Sequence, residues 1–70
     1  MKAAIQKILS KRELNILELV ALGFNSEQIA TALTIAKSTV QTHRRNMLRK
    51  TGFHNTNQLV GWGYRLKLLS

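Results

Sequence analysis

Asn25-Ser26-Glu27-Gln28-Ile29-Ala30-Thr31-Ala32-Leu33-Thr34-Ile35-Ala36-Lys37-Ser38-Thr39-Val40 is the stretch that decides the fold. The Asn25 side chain can accept from an amide three residues on, and Gln28 stands there to reach back, the reciprocal cap that opens a helix. Ile29, Ala30 and Leu33 then recur at three- and four-residue spacing, which makes one apolar face. Thr34-Ile35-Ala36 interrupts the pattern before a second one starts at Lys37. The spacing predicts a short helix over 26–33, a tight turn plugged by Ile35, and a longer helix over 37–51 that Gly52 closes. In that longer helix Val40, His43 or Arg44, Met47 and Leu48 face inward. Gln41, Thr42, Arg45 and Arg49 face outward.

The same opening occurs twice more. Ser10-Lys11-Arg12-Glu13 is a capping box followed by the apolar positions Leu14, Leu17, Val20 and Ala21, with Gly23 as a left-handed stop. Leu9, just before this cap, is placed to staple against Leu14. Asn55-Thr56-Asn57-Gln58 leads into a fourth helix from Leu59 to about Leu68. Proline is absent, glycine occurs four times, and no Asn-Gly or Gly-Gly hairpin turn is present, so strand punctuation is missing. The expected fold is all-α, a compact four-helix bundle. Ala3, Ala4, Ile8 and Leu9 give the beginning of the chain only weak amphipathicity, so residues 1–8 are read as a short extension and residues 9–70 as one domain.

Composition narrows what such a bundle does. The 70 residues carry eleven Lys and Arg against three Asp and Glu, a formal charge of +8. A chain this short hides only about 60% of the surface of its unfolded form, which disfavours a deep catalytic pocket. With no Cys, a disulfide framework, a thiolate metal site and Cys nucleophile chemistry are excluded. No apolar run approaches the roughly 20 residues of a membrane span, and Lys2, Gln6 and Lys7 break up what a signal sequence would need. These features give the expectation of a soluble intracellular chain. A hydrophobic content of 44% is that of a folded domain rather than a basic tail. The charge is also unevenly placed. Residues 1–35 are nearly balanced, whereas Lys37, Arg44, Arg45, Arg49, Lys50, Arg65 and Lys67 share residues 36–70 with no acid at all. Five of those seven fall within fourteen residues, which favours a polyanion site over a merely solvated face.

Two short helices joined by a tight turn, the second strongly basic, make a helix-turn-helix. The second helix fits the major groove of duplex DNA, about 12 Å wide, where side chains meet base edges. Gln41 can pair with adenine through two bonds, Arg45 with guanine, and the Thr42 methyl can touch the thymine methyl. Phosphates need cations, hydroxyls and helix N-terminal amides on the flanks. Competing roles are weaker. His43 has only His54 as a companion and no Cys or nearby carboxylate, so no metal site and no cofactor is expected. Trp62 and Tyr64 suit a core or a subunit contact better than base stacking. Arg65 and Lys67 read equally as solubilising charges or as DNA contacts. Glu13 caps a helix and Glu18 faces solvent, which leaves no acid/base pair and no enzyme.

Leu9-Ser10-Lys11-Arg12-Glu13, Leu17, Leu19, Gly23, Ile29-Ala30, Leu33, Ile35, Thr39-Val40, His43, Lys50, Asn55 and Gln58, in this order, resemble the LuxR-type helix-turn-helix, also called the FixJ/NarL or GerE-like domain. The resemblance spans about residues 9–69. It implies a bacterial transcription regulator, cytoplasmic, whose third helix reads double-stranded DNA, whose fourth forms a homodimer, and which has RNA polymerase as a further candidate partner. Carried over by position, it places Gln41, Thr42 and Arg45 at bases. Asn25, Ser26, Lys37, Ser38, Thr39, His43, Arg44 and Arg49 fall near phosphates, and Val60, Tyr64 and Lys67 at the subunit contact. There are departures. Ala36 stands where Ser is common, Thr51 where Leu is, and Thr56 where Arg is. Gly61 and Gly63 each cost about 0.8–1 kcal/mol of helix propensity, so the dimer is expected to be weak without DNA. The sigma-factor region-four module shares the helix-turn-helix core, but the helix after Asn55 argues against it. A cationic chain acting on membrane surfaces is the alternative from another class.

Overall fold

The computed structural model describes residues 9–65. Four helices follow in order: α1 (Lys11–Ala21), α2 (Ser26–Leu33), α3 (Lys37–Thr51) and α4 (Thr56–Arg65). The domain is all-α, and the described residues contain no strand. The expected run of the last helix to Leu68, the extension at residues 1–8 and the subunit contact at Lys67 lie outside the described residues.

The capping residues named from sequence are in place. The Glu13 amide donates to Ser10 Oγ at 3.1 Å while the Ser10 amide donates to Glu13 Oε1 at 2.8 Å. Asn25 and Gln28 make the same exchange at 2.8 and 2.9 Å. At α4 the Gln58 amide donates to Asn55 Oδ1, but the Gln58 side chain accepts from the His54 amide, one residue earlier than a reciprocal box requires.

Helix ends follow the glycines in two cases and break the rule in one. After α1, Gly23 at φ 95° lets its amide reach Val20 O while the Phe24 amide reaches Leu19 O, so two orphan carbonyls are satisfied. Gly52 closes α3 at φ 76°. The turn between α2 and α3 has the same hydrogen-bond pattern, from the Ile35 amide to Ala30 O, yet its left-handed residue is Thr34 at φ 57°. A β-branched residue there is strained, at about 1–2 kcal/mol. Thr34→Gly is therefore expected to raise stability by about 1 kcal/mol after the added freedom of the unfolded chain is deducted, a melting-temperature gain of about 4–8 °C. An unchanged or lower melting temperature by circular dichroism contradicts this.

Leu9, Ile16, Leu17, Ile29, Val40, Met47 and Leu59 are fully buried and form one core. On α1 the buried stripe is Glu13, Ile16 and Leu17, while Leu14, Val20 and Ala21 are only half-buried, a one-position correction to the expected face. The shift arises because α1 packs against all three other helices. It has a cost: the stripe now carries a carboxylate, Glu13, which is 2% exposed. Phe53 and Trp62 meet edge to face at 6.0 Å between centroids, and both pack on the core.

Candidate nucleic-acid interface

Helix α3 presents two opposed strips. Val40 and Met47 are fully buried. At about 100° per residue, the opposite side of the helix carries Ser38, Gln41, Thr42, Arg45 and Arg49, within an arc of roughly 100°, and all five are exposed. The predicted outward face is thus the observed one. Thr42 Oγ1 donates to Ser38 O at 2.9 Å, so its hydroxyl proton is committed within the helix, which leaves its methyl and the oxygen lone pairs as contact groups. Arg49 donates to Asn46 Oδ1 at 3.0 Å. Among the described residues, the Arg45 guanidinium makes no hydrogen bond or ion pair.

The start of α3 lies beside this strip. Ala36 is the N-cap and supplies no side-chain hydrogen bond, as the substitution for Ser implied. A missing cap of this kind costs about 1 kcal/mol. Lys37, Ser38 and Thr39 follow, all exposed, and His43 is half-buried. Across the turn, Asn25 is exposed and Ser26 half-buried at the start of α2. The last turn of α3 is closed by Thr51, whose hydroxyl donates to Met47 O at 2.8 Å. Thr51 thus replaces apolar packing with a local hydrogen bond.

Two polar tethers hold α3 that sequence spacing did not reveal. Lys50 Nζ lies 2.7 Å from Glu13 Oε1, the one ion pair among the described residues. Burial alone pushes the Glu13 pKa up. The Lys50 hydrogen bond, the Ser10 backbone and hydroxyl, and the Lys50 charge together outweigh burial and hold the pKa below the ordinary 4.5. On the other side of the buried strip, Arg44 donates to Ser26 Oγ at 2.8 Å and to Thr56 Oγ1 at 3.1 Å. Arg44 is half-buried and joins three helices, so its place differs from that of the exposed cations beside it. Both tethers span long stretches of chain, and neither has a periodic signal.

On α4, Val60 is half-buried against the core and Tyr64 is 46% exposed, one turn apart. Gly63 is buried, and a side chain added at Gly61 would meet open space.

Residues 7–62 match the model of the family described as bacterial regulatory proteins, luxR family. The chain belongs to the luxR family. Its helix-turn-helix is accordingly the DNA-binding domain that characterises this family of regulatory proteins. The oxygen regulatory proteins NreC of Staphylococcus aureus strains JH9, JH1 and Mu3 are each 41% identical to it over 63 residues, 90% of this chain. The chain spans only 29% of the length of these curated relatives. No described helix is long and apolar enough to cross a membrane.

Proposed function

We propose that this luxR-family domain binds double-stranded DNA sequence-specifically as a homodimer in the bacterial cytoplasm, with α3 in the major groove and α4 at the two-fold axis. One observation carries the reading: the exposed strip of α3 lies opposite the buried Val40 and Met47, so the scaffold aims Gln41, Thr42 and Arg45 outward together. Those three then meet base edges, Thr42 through its methyl. Asn25, Lys37, Ser38, Thr39, His43 and Arg49 flank them and take phosphates. Ser26 contributes from the start of α2 by its backbone amide and by the hydroxyl proton that accepting from Arg44 leaves free. Val60 and Tyr64 pack against their counterparts in a second copy, and the open space beside Gly61 accommodates that approach.

Selection from random DNA supplies the site, and two variants divide the contacts. Arg45→Ala costs about 1–3 kcal/mol and relaxes preference at one base pair of each half-site, whereas Lys37→Ala weakens all sequences alike. A footprint shows an inverted repeat with half-sites about 10 base pairs apart, or a multiple of that spacing. Identical behaviour of the two variants across altered sites removes the division between base and phosphate contacts. A single unrepeated half-site removes the dimer.

A further inference from the structure

The charge of Arg44 suggests a phosphate contact, but its geometry is that of a brace. Val40 and Met47 form the centre of the buried strip, and an apolar strip resists separation better than rotation because burial has no direction. Arg44 projects about 50° to one side of that centre and Lys50 about 70° to the other. Each ends in a directional contact with a different part of the scaffold. The planar fork of a guanidinium can serve two acceptors at fixed angles, which an ammonium cannot. Here the two acceptors are the hydroxyls of the first residues of α2 and α4, Ser26 and Thr56. Thr56 thereby receives a partner on another helix.

We propose that Arg44 is a positioning residue. Through the hydroxyls of Ser26 and Thr56 it fixes the roll of α3 about its own axis, and so sets how sharply Gln41, Thr42 and Arg45 discriminate between bases. The proposal rests on the DNA-binding reading above. The lever is short and steep: at a side-chain radius of about 6 Å, a roll of about 20° moves a contact by about 2 Å. That breaks a hydrogen bond at a base edge. Phosphate contacts through flexible Lys37 and Arg49 side chains absorb the same displacement. Loss of the brace therefore acts on specificity before it acts on affinity for DNA at large.

The experiment compares two probes by fluorescence anisotropy, well below the melting temperature of each variant: a duplex selected by this chain from random DNA, and a scrambled duplex of the same composition. The combined variant Ser26→Ala with Thr56→Val removes both acceptors and keeps every charge. It lowers the selected-to-scrambled affinity ratio about tenfold, the size of one hydrogen bond to a charged group, with the slope of log affinity against log salt unchanged. Thr56→Ser, which keeps the hydroxyl, holds the wild-type ratio. Arg44→Met lowers the ratio in the same way, again with an unchanged slope. A role in stability alone lowers the melting temperature and leaves the ratio of the folded chain where it was, and that result overturns the proposal. So does an Arg44→Met slope shallower by about 0.9 per copy with equal losses on both duplexes, which makes Arg44 a phosphate contact. If Arg44→Met does not fold, the combined hydroxyl variant decides alone. Failure of the unmodified chain to bind any selected duplex overturns the DNA-binding reading itself, and is distinct from both.

Discussion

Raising salt from about 50 to about 200 mM weakens binding of the chain to its selected duplex by about 150-fold, with a slope of log affinity against log salt near −3.6. The proposed reading puts two cations of each copy, Lys37 and Arg49, at phosphates, and both are exposed. Arg44 and Lys50 are engaged by other helices, and the proposal assigns Arg45 to bases. Two copies thus neutralise about four phosphates, each releasing about 0.9 of a counterion. The slope also counts subunits. One copy alone gives about −1.8 and a loss of about twelvefold over the same range. Titration at four salt concentrations separates these outcomes. A flat response rejects phosphate contact, and a slope near −5.4 returns Arg44 to the DNA surface.

Lys50→Met is expected to destabilise the domain by about 3 kcal/mol at neutral pH, because it strands a buried carboxylate without its cation. Lys50 itself is half exposed, so the loss comes chiefly from Glu13, whose side chain is 3% exposed. Domains of this size hold only about 5 kcal/mol in total, and the melting temperature falls by about 12–24 °C. The pH dependence has a fixed sign. Glu13 is held below 4.5 in the folded chain, so its contribution is fully present above pH 4.5 and is lost as pH falls through the lower folded value. In Lys50→Met, burial is less opposed and that acid-side loss shrinks. Thermal melts between pH 7 and pH 3 check both points, and a variant melting within 3 °C of the unmodified chain at every pH rejects them.

Much of the fold was legible because its signals are local. Ser10 with Glu13 and Asn25 with Gln28 exchange hydrogen bonds over three residues, and Val40 with Met47 keeps helical period. The outward strip followed by subtraction: once Val40 was inside, Gln41, Thr42 and Arg45 had to be outside. Reading failed where tertiary contacts assign the roles. Glu13 looked complete as a capping residue, and its partner Lys50 lies 37 positions away. Arg44 and Arg45 are chemically the same and adjacent in sequence. Only the approach of Ser26 and Thr56 from other helices engages one inside the domain and leaves the other exposed. Thr34 carried no turn signal because a β-branched residue is the last choice for a left-handed position, and the Ile29 and Ile35 side of the turn had to be packed before that conformation paid its cost.

Helix α3, though the longest of the described helices, is poorly made to exist by itself. It contains five cations and no acid, and Arg45 and Arg49 repel one another one turn apart. Its N-terminus has no side-chain cap. It is helical because α1, α2 and α4 all pack on it. The exposed strip of Gln41, Thr42 and Arg45 is consequently not expected to persist in a peptide cut from the domain. Amide protons of α3 should exchange only through global opening, at the same rate as those of Ile16 and Leu17. On the DNA-binding reading, a change that unfolds the scaffold then lowers affinity for every sequence together, whereas a change in the roll of the folded helix lowers discrimination alone.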